Sequence, residues 1–123
     1  MANIFLDTNF YFQLLKGELN ANIHDSNQVY VSTLSVHIAC YSLKIKVPNL
    51  HLTNSLATIN TLDFSANILT KACVGPTTDL EDNIQLHSAS LADCDYFLTF
   101  DDQLLKMKFF GKTQITTTIN PNL

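Results

Sequence analysis

The sequence contains no arginine. All seven basic residues are lysines, set against eleven Asp and Glu, for a formal net charge of −4. Arginine supplies the planar, forked grip on phosphate that lysine cannot reproduce. A protein that binds nucleic acid by general electrostatics normally carries a basic balance. Both observations exclude that class, so any contact with nucleic acid has to draw positive charge from a bound cation. Two small basic groups, Lys44 with Lys46 and Lys106 with Lys108 and Lys112, read as solvated faces. Cysteine is also scarce. Cys40, Cys73 and Cys94 are odd in number, widely spaced and without a CxxC pair, which excludes a disulfide or zinc framework. They are expected as buried apolar residues in a reducing compartment. No apolar run is long enough to span a membrane, and no basic flank with an apolar core opens the chain, so a soluble cytoplasmic protein is expected. Only three glycines occur, and no repeat, linker or low-complexity segment interrupts the 123 residues. With 46% hydrophobic residues the chain can bury a sizeable core, and one domain over 1–123 is expected.

What is present is an alternation of short apolar runs and helical patterns. "NIFL" predicts a buried strand at 3–6, followed by a helix over 8–16 stopped near Gly17 and a short helix at 19–24. "QVYVST" gives a strand at 29–31 with Ser32 or Thr33 capping a helix over 33–45, whose stripe is Leu34, Ile38, Tyr41 and Ile45 and which Pro48 ends. A helix over 53–60, a strand at 61–64, a helix from Ser65 to Cys73 or Val74 and a helix over 80–92 capped by Asp79 follow. "YFLTF" is a strand at 96–100, "QLLKMKFF" a helical turn, and "QITTTI" a last strand at 114–119. Strands alternating with helices predict an α/β fold, a three-layer α/β/α sandwich with a central parallel sheet.

Two of the apolar strands end on acids, the first at Asp7 and "YFLTF" at Asp101. Asp-Thr-Asn after a strand is ordinary turn and cap chemistry. In a parallel sheet, however, the carboxyl ends of the strands line the crevice where ligands bind. "DLED" adds Asp79, Glu81 and Asp82 in the first turn of the 80–92 helix, near the same edge, where acids are also favourable to the helix dipole. Converging carboxylates repel one another and raise one another's pKa unless a cation sits among them. Oxygen-only ligands select Mg²⁺ or Mn²⁺, ions that orient water and neutralise charge on a phosphodiester under attack.

"IFLDTN", "STLSVHIACY", "DLEDNIQLHSAS" and "YFLTFDDQLL", in this order and spacing, resemble the PIN-domain ribonucleases over essentially the whole chain. The resemblance implies a PIN-like fold and an Mg²⁺- or Mn²⁺-dependent ribonuclease in which Asp7, Asp82 and Asp101 are the catalytic and metal-holding acids, with Asp79 as a further ligand. Thr8, Asn9, Thr99 and Glu81 then surround them. Stand-alone members of this size look like VapC-type toxins, which implies an RNA substrate, an antitoxin partner and a homodimer. The chain departs from the pattern on its second helix, where counting six from Ser32 reaches Ile38 in place of a glutamate; no acid lies between Asp25 and Asp63. Asp79 or Glu81 could supply the missing oxygen. His37 is either a ligand or proton carrier there or a plain helix-surface histidine.

Other readings compete. A PIN-like module that binds RNA or a protein without cutting would fit the missing glutamate, although nothing then explains keeping repelling acids together. A haloacid-dehalogenase-like phosphatase needs Asp where Asn9 stands, and a response-regulator receiver needs an early acidic pair that "FLDTN" lacks. Phe10, Tyr11 and Phe12 could stack bases, but their helical spacing favours core packing. Phe109 and Phe110 are expected at a surface where a partner helix docks. The acid edge is expected to accept a basic side chain from an antitoxin.

Overall fold

The computed structural model describes residues 1–18, 23 and 26–119. Apart from Ile23, the expected 19–24 helix lies outside the described residues. The elements are β1 (Asn3–Leu6), α1 (Thr8–Leu15), β2 (Gln28–Ser32), α2 (Thr33–Ser42), α3 (Leu50–Leu56), β3 (Asn60–Leu62), α4 (Ala66–Ala72), α5 (Leu80–Leu91), β4 (Tyr96–Leu98), α6 (Asp102–Met107), β5 (Phe109–Phe110) and β6 (Thr113–Thr116).

The strands form one sheet in the order β3-β2-β1-β4-β6-β5. All pairings are parallel except that of β5 with β6 at the edge. β1 is central, as its unbroken apolar sequence requires: a strand covered on both faces has no polar side to show. Alternation along it feeds two cores. Ile4 and Leu6 join Phe10, Tyr11 and Leu15 of α1, Ala39 of α2 and Leu52 of α3. Phe5 joins Phe97 and Ile115 with Leu86 and Ala89 of α5 and Leu104 of α6. Phe5 and Phe97 are register partners on β1 and β4, and their rings stack at 5.3 Å. Full burial of such a ring stabilises by about 1.5–3 kcal/mol relative to exposure. Helices therefore cover both faces of the sheet, which bears out the expected α/β sandwich.

Several boundaries differ from expectation, each for a local reason. α2 ends at Ser42, not 45, and Pro48 plays no part in stopping it. Lys44 adopts a left-handed conformation (φ 55), its N–H bonding Tyr41 O at 3.3 Å, while the Ile45 N–H bonds Cys40 O at 2.9 Å. This is the Schellman closure usually built on glycine, and it returns Ile45 to the core outside the helix. Tyr41, expected on the buried stripe, is 81% exposed; the buried positions of α2 are Ser35 and Ala39. Lysine pays a left-handed strain that glycine does not, so Lys44→Gly is expected to raise stability by roughly 0.5–1 kcal/mol in urea denaturation, with m unchanged.

α3 starts at Leu50 because Asn49 caps it, its Oδ1 accepting the Leu52 N–H at 2.9 Å; the cap displaces the expected 53–60 span. β3 is correspondingly 60–62, not 61–64. The "QLLKMKFF" stretch is divided: α6 stops where Lys108 turns left-handed, and Phe109–Phe110 pairs with β6 across Gly111 (φ 60). β6 covers 113–116, not 114–119, and β4 stops at Leu98. Phe109 is exposed, while Phe110 packs edge-on against His87 at 5.0 Å. Of the cysteines only Cys94 is buried; Cys73 is exposed, because it caps the end of α4 and lies off its packed face. Among the described residues no helix is long and apolar enough to cross a membrane.

Candidate active site

Asp7 stands one residue beyond β1 and Asp101 three beyond β4, and the two strands are neighbours in register, Leu6 opposite Leu98. The Asp7 N–H bonds Leu98 O at 3.1 Å, so the ends of the strands are tied together. Both acids cap the helix that follows. Asp7 Oδ1 accepts the Phe10 N–H at 2.9 Å, and Asp101 Oδ1 accepts the Gln103 N–H at 2.8 Å. Asp79 does the same for α5, accepting the Asp82 N–H at 3.0 Å. Capping thus positions each carboxylate at a helix N-terminus on the carboxyl edge of the sheet, where strand sterics and the helix dipole both favour it.

The electrostatics record how close these acids are. Asp7 is buried at 7% exposure, and burial holds its pKa above the ordinary carboxylate value. Hydrogen bonds from the Thr99 side chain and from the backbone of Phe10 and Asn9 offset part of this, while Asp101 adds to the rise. Asp82 is half-buried, and its pKa is pushed up to about 6, first by desolvation and then by Asp79, Asp101, Glu81 and Asp7 in turn. Four carboxylates therefore bear on one. Among the described residues, though, no three His, Cys, Asp or Glu side chains stand close enough together to hold a metal ion. The acids share an edge within electrostatic reach but do not form a closed coordination shell. Their donor chemistry, carboxylate oxygen without sulfur or imidazole, fits Mg²⁺ or Mn²⁺ and no softer ion.

The polar residues expected around the acids divide in three ways. Thr99 is fully buried; its Oγ1 accepts the Asp101 N–H at 3.0 Å, so a single hydroxyl links Asp7 to Asp101. Thr8 is buried in a network that sequence reading missed. Its Oγ1 lies 3.0 Å from Ser35 Oγ and accepts from Gln85 Nε2 at 2.9 Å, while Ser35 Oγ donates to Gln85 Oε1 at 3.4 Å. Gln85 Nε2 also reaches Glu81 Oε2 at 3.3 Å. This network joins α1, α2 and α5 beneath the acids and leads outward to Glu81. Ser35 is three residues before Ile38, where the glutamate is missing, and Gln85 is three after Asp82. A polar residue facing an apolar helix stripe was the available signal. Asn9 and His37 are exposed, His37 on α2.

No protein-family profile matches the sequence, and no curated protein is significantly similar to it. Solved structures are similar in fold. One is a chain of VapBC2 from Rickettsia felis, crystallised with a DNA fragment from its promoter: TM-score 0.64 at 12% identity, covering 93% of this chain and 97% of that one. Another is VapC20 of Mycobacterium tuberculosis, a toxin that cleaves the sarcin–ricin loop: TM-score 0.62 at 15% identity, covering 90% and 98%. The fold is that of these VapC structures, the PIN-like α/β/α sandwich that the sequence resemblance implied.

Proposed function

We propose that the chain is a divalent-metal-dependent endoribonuclease. The observation that carries this reading is the placing of Asp7, Asp82 and Asp101 at one sheet edge, within electrostatic reach of each other, on a VapC-like fold. Asp7, Asp82 and Asp101 would hold Mg²⁺ or Mn²⁺, with Asp79 beside them. When bound, the ion would supply a Lewis acid for the phosphodiester and a lowered pKa for attacking water. The chain's own residues do the remainder: the Thr99 hydroxyl links Asp7 to Asp101, and the partly desolvated charge of Asp82, crowded by Asp79, Asp101, Glu81 and Asp7, favours a cation among them. Glu81 is the half-buried acid best placed to replace the glutamate absent from α2.

An antitoxin bearing a basic side chain for this edge fits a protein with net charge −4, and homodimerisation in the cytoplasm is the accompanying expectation. A non-catalytic module is the second reading, favoured by the missing glutamate and by the open spacing of the acids. A Mn²⁺ or Mg²⁺ titration of cleavage on structured and single-stranded RNAs separates the two, run beside Asp82→Asn, which keeps shape and removes charge. Cleavage is expected to require metal and to fall at least about a hundredfold in the variant, the scale of losing a charge-stabilising group from a hydrolytic site. Metal binding by the wild type without cleavage of any RNA would leave the module.

A further inference from the structure

Two rings lie face to face beside the acids. Phe10, in the first turn of α1, is 4% exposed; Phe100, between Thr99 and Asp101, is 48% exposed. Their centroids are 4.1 Å apart and their planes differ by 11°. Phe10 is fastened through its N–H to Asp7 Oδ1, and Phe100 sits between Thr99 and Asp101, which a hydrogen bond clamps together. The pair is thus built on the backbone of the acid site itself. One face of Phe100 covers the buried ring, and about half of its surface remains in water. Sealing Phe10 from solvent needs only an aliphatic group; it does not need a parallel ring left open on the outside.

We infer that the outer face of Phe100 is a stacking site for one unpaired nucleobase of the RNA, next to the phosphodiester presented to Asp7, Asp82 and Asp101. The inference rests on the proposed nuclease reading of that edge and adds what holds the substrate there. Every base has a π-face, so the contact is tolerant of sequence. It also needs no positive charge, which suits a chain with no arginine and an acidic balance. Phe10 acts as the buried backing that keeps the platform flat and fixed.

The test uses the full chain with Ca²⁺ as the oxygen-seeking ion and short single-stranded oligoribonucleotides carrying 2-aminopurine at successive positions. Wild type, Phe100→Leu and Phe100→Trp are compared, with thermal midpoints measured alongside. Wild-type binding is expected to quench the probe strongly at one position. Phe100→Leu keeps volume but loses the ring; it is expected to lose that quench and bind about tenfold more weakly, the scale of one base–aromatic stack. Because stacking is not ionic, the ratio of the two affinities is expected to stay constant between low and high salt. Phe100→Trp is expected to bind at least as tightly, its indole fluorescence quenched by unlabelled RNA. Wild-type affinity with an intact quench in Phe100→Leu would overturn the inference and leave the nuclease reading standing, with the ring then serving a protein partner. Should Phe100→Leu fail to fold, an unquenched indole in RNA-saturated Phe100→Trp would overturn it alone. If the wild type binds none of these oligonucleotides, the stacking inference falls, and the nuclease reading is decided separately by cleavage of the structured RNAs.

Discussion

Gln85→Leu is expected to destabilise the fold by about 1–3 kcal/mol despite conserving volume, because it leaves a buried hydroxyl short of a partner. Gln85 is 2% exposed, and Thr8 and Ser35 around it are 6% and 0% exposed. The hydrogen bonds close a ring: Gln85 Nε2 donates to Thr8 Oγ1, the two hydroxyls bond each other, and Ser35 Oγ donates to Gln85 Oε1. Each hydroxyl has one proton to place, so removing the amide orphans one member wherever the remaining protons turn. Gln85→Ala adds a cavity and is expected to cost about 2–4 kcal/mol. Urea denaturation gives both values. The diagnostic is coupling. Since Ser35 and Gln85 share one network, Ser35→Ala and Gln85→Leu together are expected to cost less than their sum by about 0.5–3 kcal/mol. Strict additivity, with Gln85→Leu near neutral, would mean that the amide contributes only its stem. The amide also holds Glu81 through its second N–H, so Gln85→Leu is expected to lower cleavage beyond its effect on stability.

The sheet was legible in the sequence because burial on both faces leaves a compositional trace: "IFL" is apolar throughout and runs into Asp7, and "YFL" is apolar throughout with Asp101 three residues beyond it. The helix caps were equally legible, since Ser32, Ser65 and Asp79 announce themselves by type and are found capping α2, α4 and α5. Asn49 should have been read the same way; Pro48 beside it suggested a terminator for α2 and hid a start for α3. Lys44 could not have been read, because the left-handed turn it adopts is a glycine position and nothing local marks a lysine for it. The acids were placed by topology, which strand order determines and single residues do not. Their spacing was beyond reach: a sequence gives which edge a carboxylate occupies but not whether three of them close around an ion. The network of Thr8, Ser35 and Gln85 escaped because its members lie 27 and 50 residues apart: Thr8 was expected beside the acids, but Ser35 and Gln85 alone look like ordinary helix residues. Phe100 escaped for the opposite reason, having been assigned to the strand "YFLTF" when the chain had already left the sheet at Leu98.

In chelator, Asp82→Asn is expected to be more stable than the wild type at pH 7.5, with the difference vanishing near pH 4. The Asp82 pKa is raised from 3.8 to about 6 in the folded protein. Between those values the folded state binds more protons than the unfolded one, so wild-type stability falls as pH rises through that window. Below about 4 both states are protonated and the penalty is absent. Above about 6 it is present in full, as a partly desolvated and uncompensated charge among Asp79, Asp101, Glu81 and Asp7. Full conversion of the shift would approach 3 kcal/mol, but Asp82 is only half-buried and solvent screens it, so a gain of about 1 kcal/mol is the realistic figure. Asparagine forfeits some favourable interaction with the α5 dipole, which trims the gain by a few tenths of a kcal/mol. Adding Mn²⁺ reverses the order. An ion bound to the folded state at about a hundred times its Kd stabilises by about 2.7 kcal/mol, enough to carry the wild type past the variant. A bound cation also draws the Asp82 pKa down, so the fall in stability between pH 4 and 6 is expected to turn into a rise. Thermal midpoints across pH 4–8, with and without Mn²⁺, show the crossing directly. If the variant is no more stable in chelator, Asp82 carries no penalty from burial and its neighbours; if Mn²⁺ lifts both proteins equally, the ion is held elsewhere.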